Sequence, residues 1–462
     1  MHSFNSFRHF FQIVVFCYKI WYILSMKKND ILEVKIIDVG INGEGIAKID
    51  NFVIFVPFAL TDEVVRVQLL KVNKNYAYAK LIDILTPSKD RVTPLCPVFK
   101  KCGGCNLQHS TYENQLIIKQ HIVDTTLRKM LKSKFNVLPT FASPKKYAYR
   151  NKMQFPITNN GIGMYAFNSH RLIPLEKCPL SEDWCQKLIT IIHQYIKLSG
   201  ISTYNEETGS GVLRNVLARV TENNIMITIV CNGIPTHLDI LADLIQREFI
   251  NFGLYYNINK DRTNRILGNE FIHISGIKEQ LCEDFNIKHT LLPLSFAQIN
   301  KDVQNAIYSK ALELVDKEIV IDAYSGAGLL SAILSKKAEY VYGIEIVKQA
   351  TENANTLKQL NNISNVTNIN GDCAIELPKL IQSLPPCTVI LDPPRKGCDK
   401  KVIDAILDNE PSKIIYISCN PASLARDLSY LESNYDIRLI QPYDMFPQTK
   451  HIETLVFLTK KE

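Results

Sequence analysis

The segment that decides the fold of the C-terminal part of the chain is Val320–Leu329, with the sequence VIDAYSGAGL. It is an apolar strand that ends in a turn with two glycines and continues into a helical pattern, GLLSAILSKK. Gly326 and Gly328 allow the backbone to bend tightly and to approach a ligand closely. This order is typical of a nucleotide-binding βα unit, although a plain strand-to-helix turn can have the same form.

Strand and helical patterns alternate from about residue 300 onward. The strand patterns are YVYGIEI, CTVILDPP and KIIYISCN, and the helical pattern KQATENANTLKQL follows the first of them. This alternation predicts an α/β fold with a parallel, doubly wound sheet. Open sheets of this kind bind ligands at the carboxyl ends of their strands.

Acidic residues follow successive strands at that edge. Glu345 ends a strand about 20 residues after the glycine turn, where an acidic side chain typically binds a ribose hydroxyl. Asp372, in the segment Asn370–Asp372, is placed to reach an adenine ring, and Asp392 follows the next strand in LDPPRKG. The glycine motif, D-x-Y-x-G-x-G, resembles that of class I (Rossmann-like) S-adenosylmethionine-dependent methyltransferases. NAD-dependent oxidoreductases, with G-x-G-x-x-G, are the weaker alternative.

A cysteine lies at the same edge of the predicted sheet. Cys419 ends a strand pattern in YISCNPASLARD, Tyr416–Asp427. Most cysteines of a cytosolic chain pack as small hydrophobes, but such a residue would more naturally lie inside the strand. A cysteine at a strand end beside a cofactor pocket is a candidate nucleophile. Glu453, in KHIETLVFL, is a candidate base, although a glutamate at such a position is normally exposed to solvent.

Five motifs together resemble the RNA uracil-5-methyltransferases, in chain order over residues 26–462. These motifs are SFAQIN (Ser295–Asn300), DAYSGAGL, LDPPRKG, SCNPASLARD and HIE (His451–Glu453). The resemblance implies that S-adenosylmethionine is the methyl donor, Cys419 the nucleophile and Glu453 the base. It also implies that Arg395 lies on a loop facing the cofactor and the target base. The expected cofactor-binding residues are Gln298, Tyr324, Gly326, Glu345, Asp372 and Asp392.

The chemistry of this family explains the residue types. Carbon 5 of uracil is a poor nucleophile, and addition of a thiolate at carbon 6 creates an enolate with electron density on carbon 5. Carbon 5 then attacks the methyl group, a base removes the proton from carbon 5, and the thiolate leaves. The uridine must leave its stack to reach Cys419, which implies base flipping or a single-stranded loop.

A second group of cysteines precedes this region. Cys96, Cys102 and Cys105 form C-x5-C-x2-C in CPVFKKCGGC, and Cys178 follows in EKCPL. Four thiolates can hold either zinc or a [4Fe–4S] cluster, and the spacing alone does not choose between them. The family resemblance implies a [4Fe–4S] cluster held by all four cysteines, with a structural or RNA-positioning role.

The N-terminal part has a different pattern. Residues 31–87 alternate short runs rich in Val, Ile and Tyr with turns, which predicts a small all-β barrel. By resemblance this barrel is the OB-like, RNA-binding TRAM domain. Its basic and aromatic residues include Lys71, Lys74, Lys80, Tyr76 and Tyr78. Such a mixture suits a strand surface that binds RNA, and equally an edge strand protected by lysines.

The length of 462 residues predicts two or three domains, and the net charge of +7 is compatible with nucleic acid without being diagnostic. We expect an extension or mis-assigned start (1–25), the barrel (26–88), a central α+β iron–sulfur region (89–294) and the methyltransferase domain (295–462). The apolar stretch 10–25 is short for a membrane span, and a signal peptide or anchor is the weaker interpretation. We expect a cytoplasmic monomer with no membrane segment.

The sequence therefore predicts methylation of carbon 5 of a uridine in RNA. The barrel and the cysteine group together resemble the ribosomal-RNA branch of the family, which favours 23S rRNA over the T-loop of tRNA. A non-catalytic RNA-binding protein that keeps the fold is the alternative from another class, and Cys419 and Glu453 argue against it. The N-P-P-Y-type loop of amino-group methyltransferases is absent, because Leu391–Pro394 read LDPP.

Overall fold

The computed structural model describes residues 26–222 and 224–462, so the expected extension at residues 1–25 lies outside the described part. The chain divides into two compact units. Of the described residues, the first unit contains Met26–Leu95 together with Cys105–Ile118, and the second contains Cys96–Gly104 and Lys119–Glu462. Within the described ranges, we find no helix with the length and apolar character needed to cross a membrane.

The first unit contains a closed five-stranded barrel, as the sequence predicts. Its strands are β1 (Ile31–Val39), β2 (Gly45–Ile49), β3 (Phe52–Val56), β4 (Val64–Val72) and β5 (Tyr76–Thr86). They are joined in the order β1-β2-β3-β5-β4, and β4 pairs with β1 to close the barrel. Alternate residues of β1 and β4 are buried, so that one face of each strand fills the interior and the other faces outward.

The second unit begins with a mixed sheet and its helices. The strands of this sheet are β6 (Lys152–Thr158), β7 (Gly161–Tyr165), β8 (Leu172–Pro174), β9 (Leu213–Thr221), β10 (Asn224–Cys231), β11 (Phe252–Ile258) and β12 (Glu270–Gly276). Their order is β12-β11-β10-β9-β6-β7-β8. The helices of this part of the chain are α1 (Tyr112–Arg128), which begins in the first unit, α2 (Trp184–Ser199) and α3 (Leu238–Glu248). The apolar side chains of α2 and α3 share one core with β6, β9 and β10.

A hairpin, β13 (Gln280–Asp284) and β14 (Ile287–Leu291), leads into the C-terminal sheet. The strands of that sheet are β15 (Ile319–Ala323), β16 (Tyr340–Glu345), β17 (Val366–Asn370), β18 (Thr388–Leu391), β19 (Lys413–Ser418), β20 (Tyr435–Tyr443) and β21 (Glu453–Lys460). The helices are α4 (Lys301–Leu314), α5 (Leu329–Leu334), α6 (Lys348–Leu360), α7 (Cys373–Ser383), α8 (Lys400–Asn409) and α9 (Pro421–Leu431).

The strand order of this sheet determines where a ligand can bind. The order is β17-β16-β15-β18-β19-β21-β20, with β15 to β19 parallel and β21 antiparallel to both of its neighbours. The direction of winding reverses between β15 and β18, and a reversal of this kind opens a crevice at the carboxyl ends of the two strands. The predicted doubly wound sheet is confirmed, and the turn Tyr324–Gly328 lies at this crevice.

The backbone conformation of that turn and its packing against α6 explain why it contains two glycines. Gly326 and Gly328 adopt φ values of +56° and +79°, in the left-handed region that favours glycine. A Cβ atom at residue 328 would lie 2.7 Å from the Cβ atom of Ala354, on α6. Gly328 therefore allows the start of α5 to pack closely against α6.

Candidate active site

A cavity of about 1280 Å³ lies at the carboxyl edge of the C-terminal sheet. It is lined by all of the residues predicted to be catalytic or to bind the cofactor, namely Cys419, Glu453, Gln298, Tyr324, Gly326, Glu345, Asp372 and Asp392. Pockets for one drug-sized ligand measure about 300–1,000 Å³. The cavity therefore has room for a cofactor and a nucleobase together.

Glu345, at the end of β16, presents a fixed carboxylate to the cavity. Its Oε2 atom accepts a hydrogen bond from the backbone N–H of Gly326 at 3.0 Å, and its Oε1 atom accepts one from Val347 N–H at 2.7 Å. Each carboxylate oxygen can accept more than one hydrogen bond. The carboxylate is thus oriented by the glycine turn and retains capacity to accept hydroxyl groups of a ligand.

Tyr324 and Asp372 are also held by local structure. Tyr324 has a φ of +67°, which is unfavourable for a bulky residue, and its phenol lies close to Cys398 and to the backbone of Asp399. These contacts hold the ring while the backbone makes the turn. Asp372 is the N-cap of α7, where its Oδ1 atom accepts a hydrogen bond from Ala374 N–H at 2.9 Å.

The register between β19 and β21 brings the proposed nucleophile and base together. Ser418, the last residue of β19, pairs with Thr454 of β21, so that the residue after Ser418 and the residue before Thr454 are neighbours. These residues are Cys419 and Glu453. The Cys419 side chain is partly exposed to the cavity, whereas Glu453 is only 6% exposed.

The carboxylates around Cys419 oppose ionisation of its thiol. Burial, followed by the negative charges of Glu453 and Asp392, raises the pKa of Cys419 to about 11, while the Arg395 guanidinium lowers it. The two carboxylates therefore disfavour the thiolate form of Cys419, and Arg395 favours it. The position of Arg395 relative to Cys419 consequently affects how readily the thiolate forms.

The acidic groups of the site also hold their protons more strongly than usual. Burial raises the pKa of Asp392 to about 7. Burial, with the Asp392 charge as a second cause, raises the pKa of Glu453 well above its ordinary value. His451 has the opposite shift, because burial and the positive charge of Arg395 lower its pKa to about 4, so its imidazole is neutral near pH 7.

Three further polar residues of the cavity have no signal in the sequence. Asp284, at the end of β13, binds His289 Nε2 at 2.9 Å and Lys301 Nζ at 3.0 Å. These partners lower the pKa of Asp284 against the effect of its burial. The group joins the hairpin to the start of α4, and only the tertiary structure brings its members together.

Two segments of the central region, YRNKMQF and VLRNVLAR, are tied to neighbouring backbone by side-chain hydrogen bonds. Asn151 donates from its side chain to Gln298 O and from its backbone to Ile299 O, both at 3.0 Å, and so holds the SFAQIN segment. Arg214 donates to Asn259 O and Asp261 O, and its guanidinium lies over the Tyr204 ring. Arg150 and Asn151 line the cavity.

The cysteine group is divided between the two units. Cys96, Cys102 and Cys178 belong to the second unit, and Cys105 belongs to the first. Burial, with the neighbouring Cys102 and Cys96 thiols as smaller causes, raises the pKa of Cys178 to about 11, and these three cysteines lie near one another. Across residues 26–222 and 224–462, however, no set of three or more Cys, His, Asp or Glu side chains is spaced to hold a single metal ion.

The comparisons with known proteins agree with these features. Residues 266–461 match the family described as tRNA (Uracil-5-)-methyltransferase, and residues 27–82 match the TRAM domain. A protein of Clostridium acetobutylicum, described as an uncharacterized RNA methyltransferase, is 40% identical, covering 95% of this chain and 99% of its own. The chain belongs to the RNA (uracil-5-)-methyltransferase family. A similarly described relative of this methyltransferase from Caldanaerobacter subterraneus is 38% identical, covering 94% of this chain and 99% of its own.

The methyltransferase also resembles a solved structure over nearly its whole length. That structure is the tRNA (uracil-54, C5)-methyltransferase of Pyrococcus abyssi in complex with S-adenosyl-L-homocysteine, with a TM-score of 0.75 and 24% identity. The match covers 93% of this chain and 100% of the other. At this level of identity the likeness shows that the two proteins share a fold. The predicted family and the predicted enzyme class, RNA (uracil-C5)-methyltransferase, are confirmed.

Proposed function

We propose that this methyltransferase transfers a methyl group from S-adenosylmethionine to carbon 5 of a specific uridine in 23S rRNA, through a covalent bond between Cys419 and carbon 6. The observation that carries the proposal is the convergence of Cys419, Glu453 and Arg395 in one cavity that also contains the glycine turn and Glu345.

The glycine-turn half of the cavity fits the methyl donor. Glu345 offers a fixed pair of acceptor oxygens for hydroxyl groups, and the turn allows a close approach of the ligand to the backbone. Gln298, Tyr324 and Asp372 would complete the binding site. When bound, S-adenosylmethionine supplies an electrophilic methyl group.

The Cys419 half of the cavity fits the uracil. The Cys419 sulfur forms a bond to carbon 6, and the electron pair of the carbon 5–carbon 6 double bond moves into an enolate. Arg395 supports this step because its positive charge favours the thiolate. After methylation, ionised Glu453 accepts the proton of carbon 5, the double bond reforms and the carbon–sulfur bond breaks. The raised pKa of Glu453 makes its carboxylate a stronger base for that step.

The proposal includes a [4Fe–4S] cluster held by Cys96, Cys102, Cys105 and Cys178. In its support, three of these thiols lie near one another in the second unit, and Arg150 places a positive charge beside Cys102 and Cys178. A four-iron cluster also separates its thiolates more widely than a single ion does. Methyl transfer requires no electron transfer, so we assign the cluster a structural or RNA-positioning role.

The cluster assignment is tested by anaerobic purification followed by iron, sulfide and zinc analysis. We expect a brown protein with about four irons per chain. Stoichiometric zinc without iron would refute the cluster.

The outer face of the barrel supports RNA as the substrate. Tyr76 and Tyr78 of β5 are 38% and 45% exposed, and Phe55 of β3 contacts both, with ring centroids at 6.0 and 5.4 Å. Lys71 pairs with Tyr78 across β4 and β5, and Lys80 continues the same face of β5. Stacked aromatic rings bordered by lysines suit unpaired bases and phosphates.

The choice of RNA is tested by a direct comparison. Unmodified 23S rRNA and unmodified tRNA are incubated in parallel with labelled S-adenosylmethionine, and the products are digested to nucleosides. We expect 5-methyluridine from 23S rRNA only. The T-loop of tRNA is the second candidate, because the full-length structural neighbour is a tRNA methyltransferase, and product from tRNA alone would establish it. Absence of 5-methyluridine from both RNAs would contradict the proposal.

The cytoplasmic location, the monomeric state and the domain limits 26–88, 89–294 and 295–462 stay predictions.

A further inference from the structure

Helix α9, which follows Cys419, binds the backbone of the loop that carries Arg395. Asn420, next to Cys419, donates from its Nδ2 atom to Arg395 O at 2.9 Å. Ser423, on the first turn of the helix, donates from its hydroxyl to the same carbonyl oxygen at 3.2 Å. The nucleophile segment and the Arg395 loop are therefore joined directly.

Arg426 and Asp427 extend this attachment along the loop. Arg426 Nη2 donates to Lys396 O at 2.9 Å and to Cys398 O at 3.3 Å. Asp427 Oδ2 accepts a hydrogen bond from the backbone N–H of Cys398 at 2.9 Å. We call the Arg426 and Asp427 side chains the loop clamp, and the segment that they bind is the Arg395–Cys398 loop.

Both oxygens of the Asp427 carboxylate accept hydrogen bonds from within the protein. Asp427 is 1% exposed. Its Oδ1 atom accepts a hydrogen bond from Arg426 Nε at 2.8 Å, and its Oδ2 atom accepts one from the Tyr416 hydroxyl at 2.6 Å. A buried carboxylate is stable only with such partners, and together they fix its orientation. Asp427 thus anchors Arg426 and the loop to β19, which carries Tyr416.

Gly397 shows how closely the loop lies against the clamp. Its φ is +79°, and a Cβ atom at this position would lie 2.5 Å from Arg426 Nη2 and 2.6 Å from Asp427 Oδ2. A side chain at residue 397 would therefore displace the loop from both clamp residues.

The position of the Arg395 side chain in the cavity explains why this loop must be held in place. The Arg395 side chain lines the cavity with Cys419 and Glu453, and its charge acts on both of them. Clamp residues themselves do not line the cavity. We propose that Arg426 and Asp427 are positioning residues that hold the loop backbone so that the Arg395 guanidinium stays beside Cys419. This inference rests on the proposed nucleophile role of Cys419.

The first test measures the reactivity of the Cys419 thiol without RNA or cofactor. Iodoacetamide alkylation of the full-length protein is followed as a function of pH, with the Cys419 peptide quantified by mass spectrometry. We expect Arg426→Ala to slow alkylation at pH 8 by about tenfold, which corresponds to a rise of one unit in the thiol pKa. Arg395→Ala should have at least the same effect.

The double variant distinguishes positioning from a general loss of structure. If Arg426 acts only through Arg395, adding Arg426→Ala to Arg395→Ala should change the alkylation profile no further. The matched control is Arg438→Ala, which removes an exposed arginine that pairs with Asp436 at 3.0 Å in the same unit, and it should leave the profile as in the wild type. An unchanged profile for Arg426→Ala, or additive effects in the double variant, would overturn the inference.

Turnover provides a second readout. Arg426→Ala should lower kcat by on the order of 10- to 100-fold with the KM for S-adenosylmethionine within twofold, because misplacement of a group at the reacting centre affects the chemical step. Arg426→Lys should restore part of kcat, since it keeps the charge and one donor, and it replaces Arg426→Ala if circular dichroism shows that variant to be unfolded. A kcat for both variants equal to that of the wild type would also overturn the inference. Failure of the nucleophile role itself would be seen separately, as activity retained by Cys419→Ala.

Discussion

The exchange Glu453→Gln should have two opposite effects on the reaction, and this combination tests the roles proposed for Cys419 and Glu453. Gln has the size of Glu and keeps its carbonyl acceptor, so the 6% exposed position should still pack. It cannot accept the proton of carbon 5. It also removes one of the negative charges that raise the pKa of Cys419.

The first effect concerns the nucleophile. With a pKa of about 11, the fraction of Cys419 present as thiolate at pH 8 is 10^(8 − 11), or about one in a thousand. Loss of the Glu453 charge should lower the thiol pKa by about one unit, equivalent to 1.36 kcal/mol. The direction follows because a negative charge at Glu453 disfavours the thiolate form of Cys419. Alkylation of Cys419 at pH 8 should therefore become about tenfold faster.

The second effect concerns release of the product. General base catalysis contributes about 10²- to 10⁴-fold to a rate, and turnover should fall by that amount. Because addition and methyl transfer can proceed without the base, the variant should accumulate a covalent complex of enzyme and methylated RNA. The complex should be visible as a shifted band on a denaturing gel with labelled RNA or labelled S-adenosylmethionine.

Two controls complete the experiment. Glu410→Gln changes a glutamate outside the cavity that pairs with Lys460 at 2.7 Å, and it should alter neither alkylation nor turnover. The double variant Glu453→Gln, Cys419→Ala should form no covalent complex. Turnover of Glu453→Gln within threefold of the wild type, or slower alkylation of its Cys419, would refute the reasoning.

Four other predictions address chemistry, stability and RNA binding. Cys419→Ala should yield no 5-methyluridine while its affinity for S-adenosylmethionine, measured by calorimetry, stays within twofold of the wild type. Lys119→Met should lower the free energy of unfolding in urea by about 3–5 kcal/mol, because it leaves Asp444 without its cation where both side chains are 0% exposed; a loss below 1 kcal/mol would contradict this. Burial raises the folded pKa of Asp322 from 3.8 to about 7, so the stability that this group contributes is complete below about pH 4 and lost as the pH rises through 7. Asp322→Asn should therefore remove about 4 kcal/mol of the difference in unfolding free energy between pH 4 and pH 8, and an unchanged difference would count against the shift. Tyr78→Ala should weaken RNA binding by about 1–3 kcal/mol in filter binding without changing the melting of the barrel; equal affinity would exclude stacking on this ring.

Much of the fold could be predicted because its signals are local. The barrel follows from short alternating strands, and the C-terminal sheet follows from the alternation of strands and helices. The acidic residues Glu345, Asp372 and Asp392 could be expected at one site because the carboxyl ends of parallel strands meet at one edge. The cavity contains all three.

The proximity of Glu453 to Cys419 could not be derived from patterns alone. Strand β21 inserts between β19 and β20 and runs antiparallel to both, so Glu453 reaches the site from the start of its strand. The sequence shows an apolar strand after Glu453 but neither its neighbour nor its direction. Only the family resemblance assigned the residue to the site in advance.

The sequence by itself thus determined the class of fold, the family and the residue types that the chemistry needs. These depend on local periodicity, on glycine turns and on motifs of a few residues. The tertiary structure decided the pairing of Lys119 with Asp444, 325 residues apart, the group around Asp284, and the attachment of the Arg395 loop to Arg426 and Asp427. Such contacts depend on how distant segments pack, and no local pattern records which partner a buried polar side chain will meet.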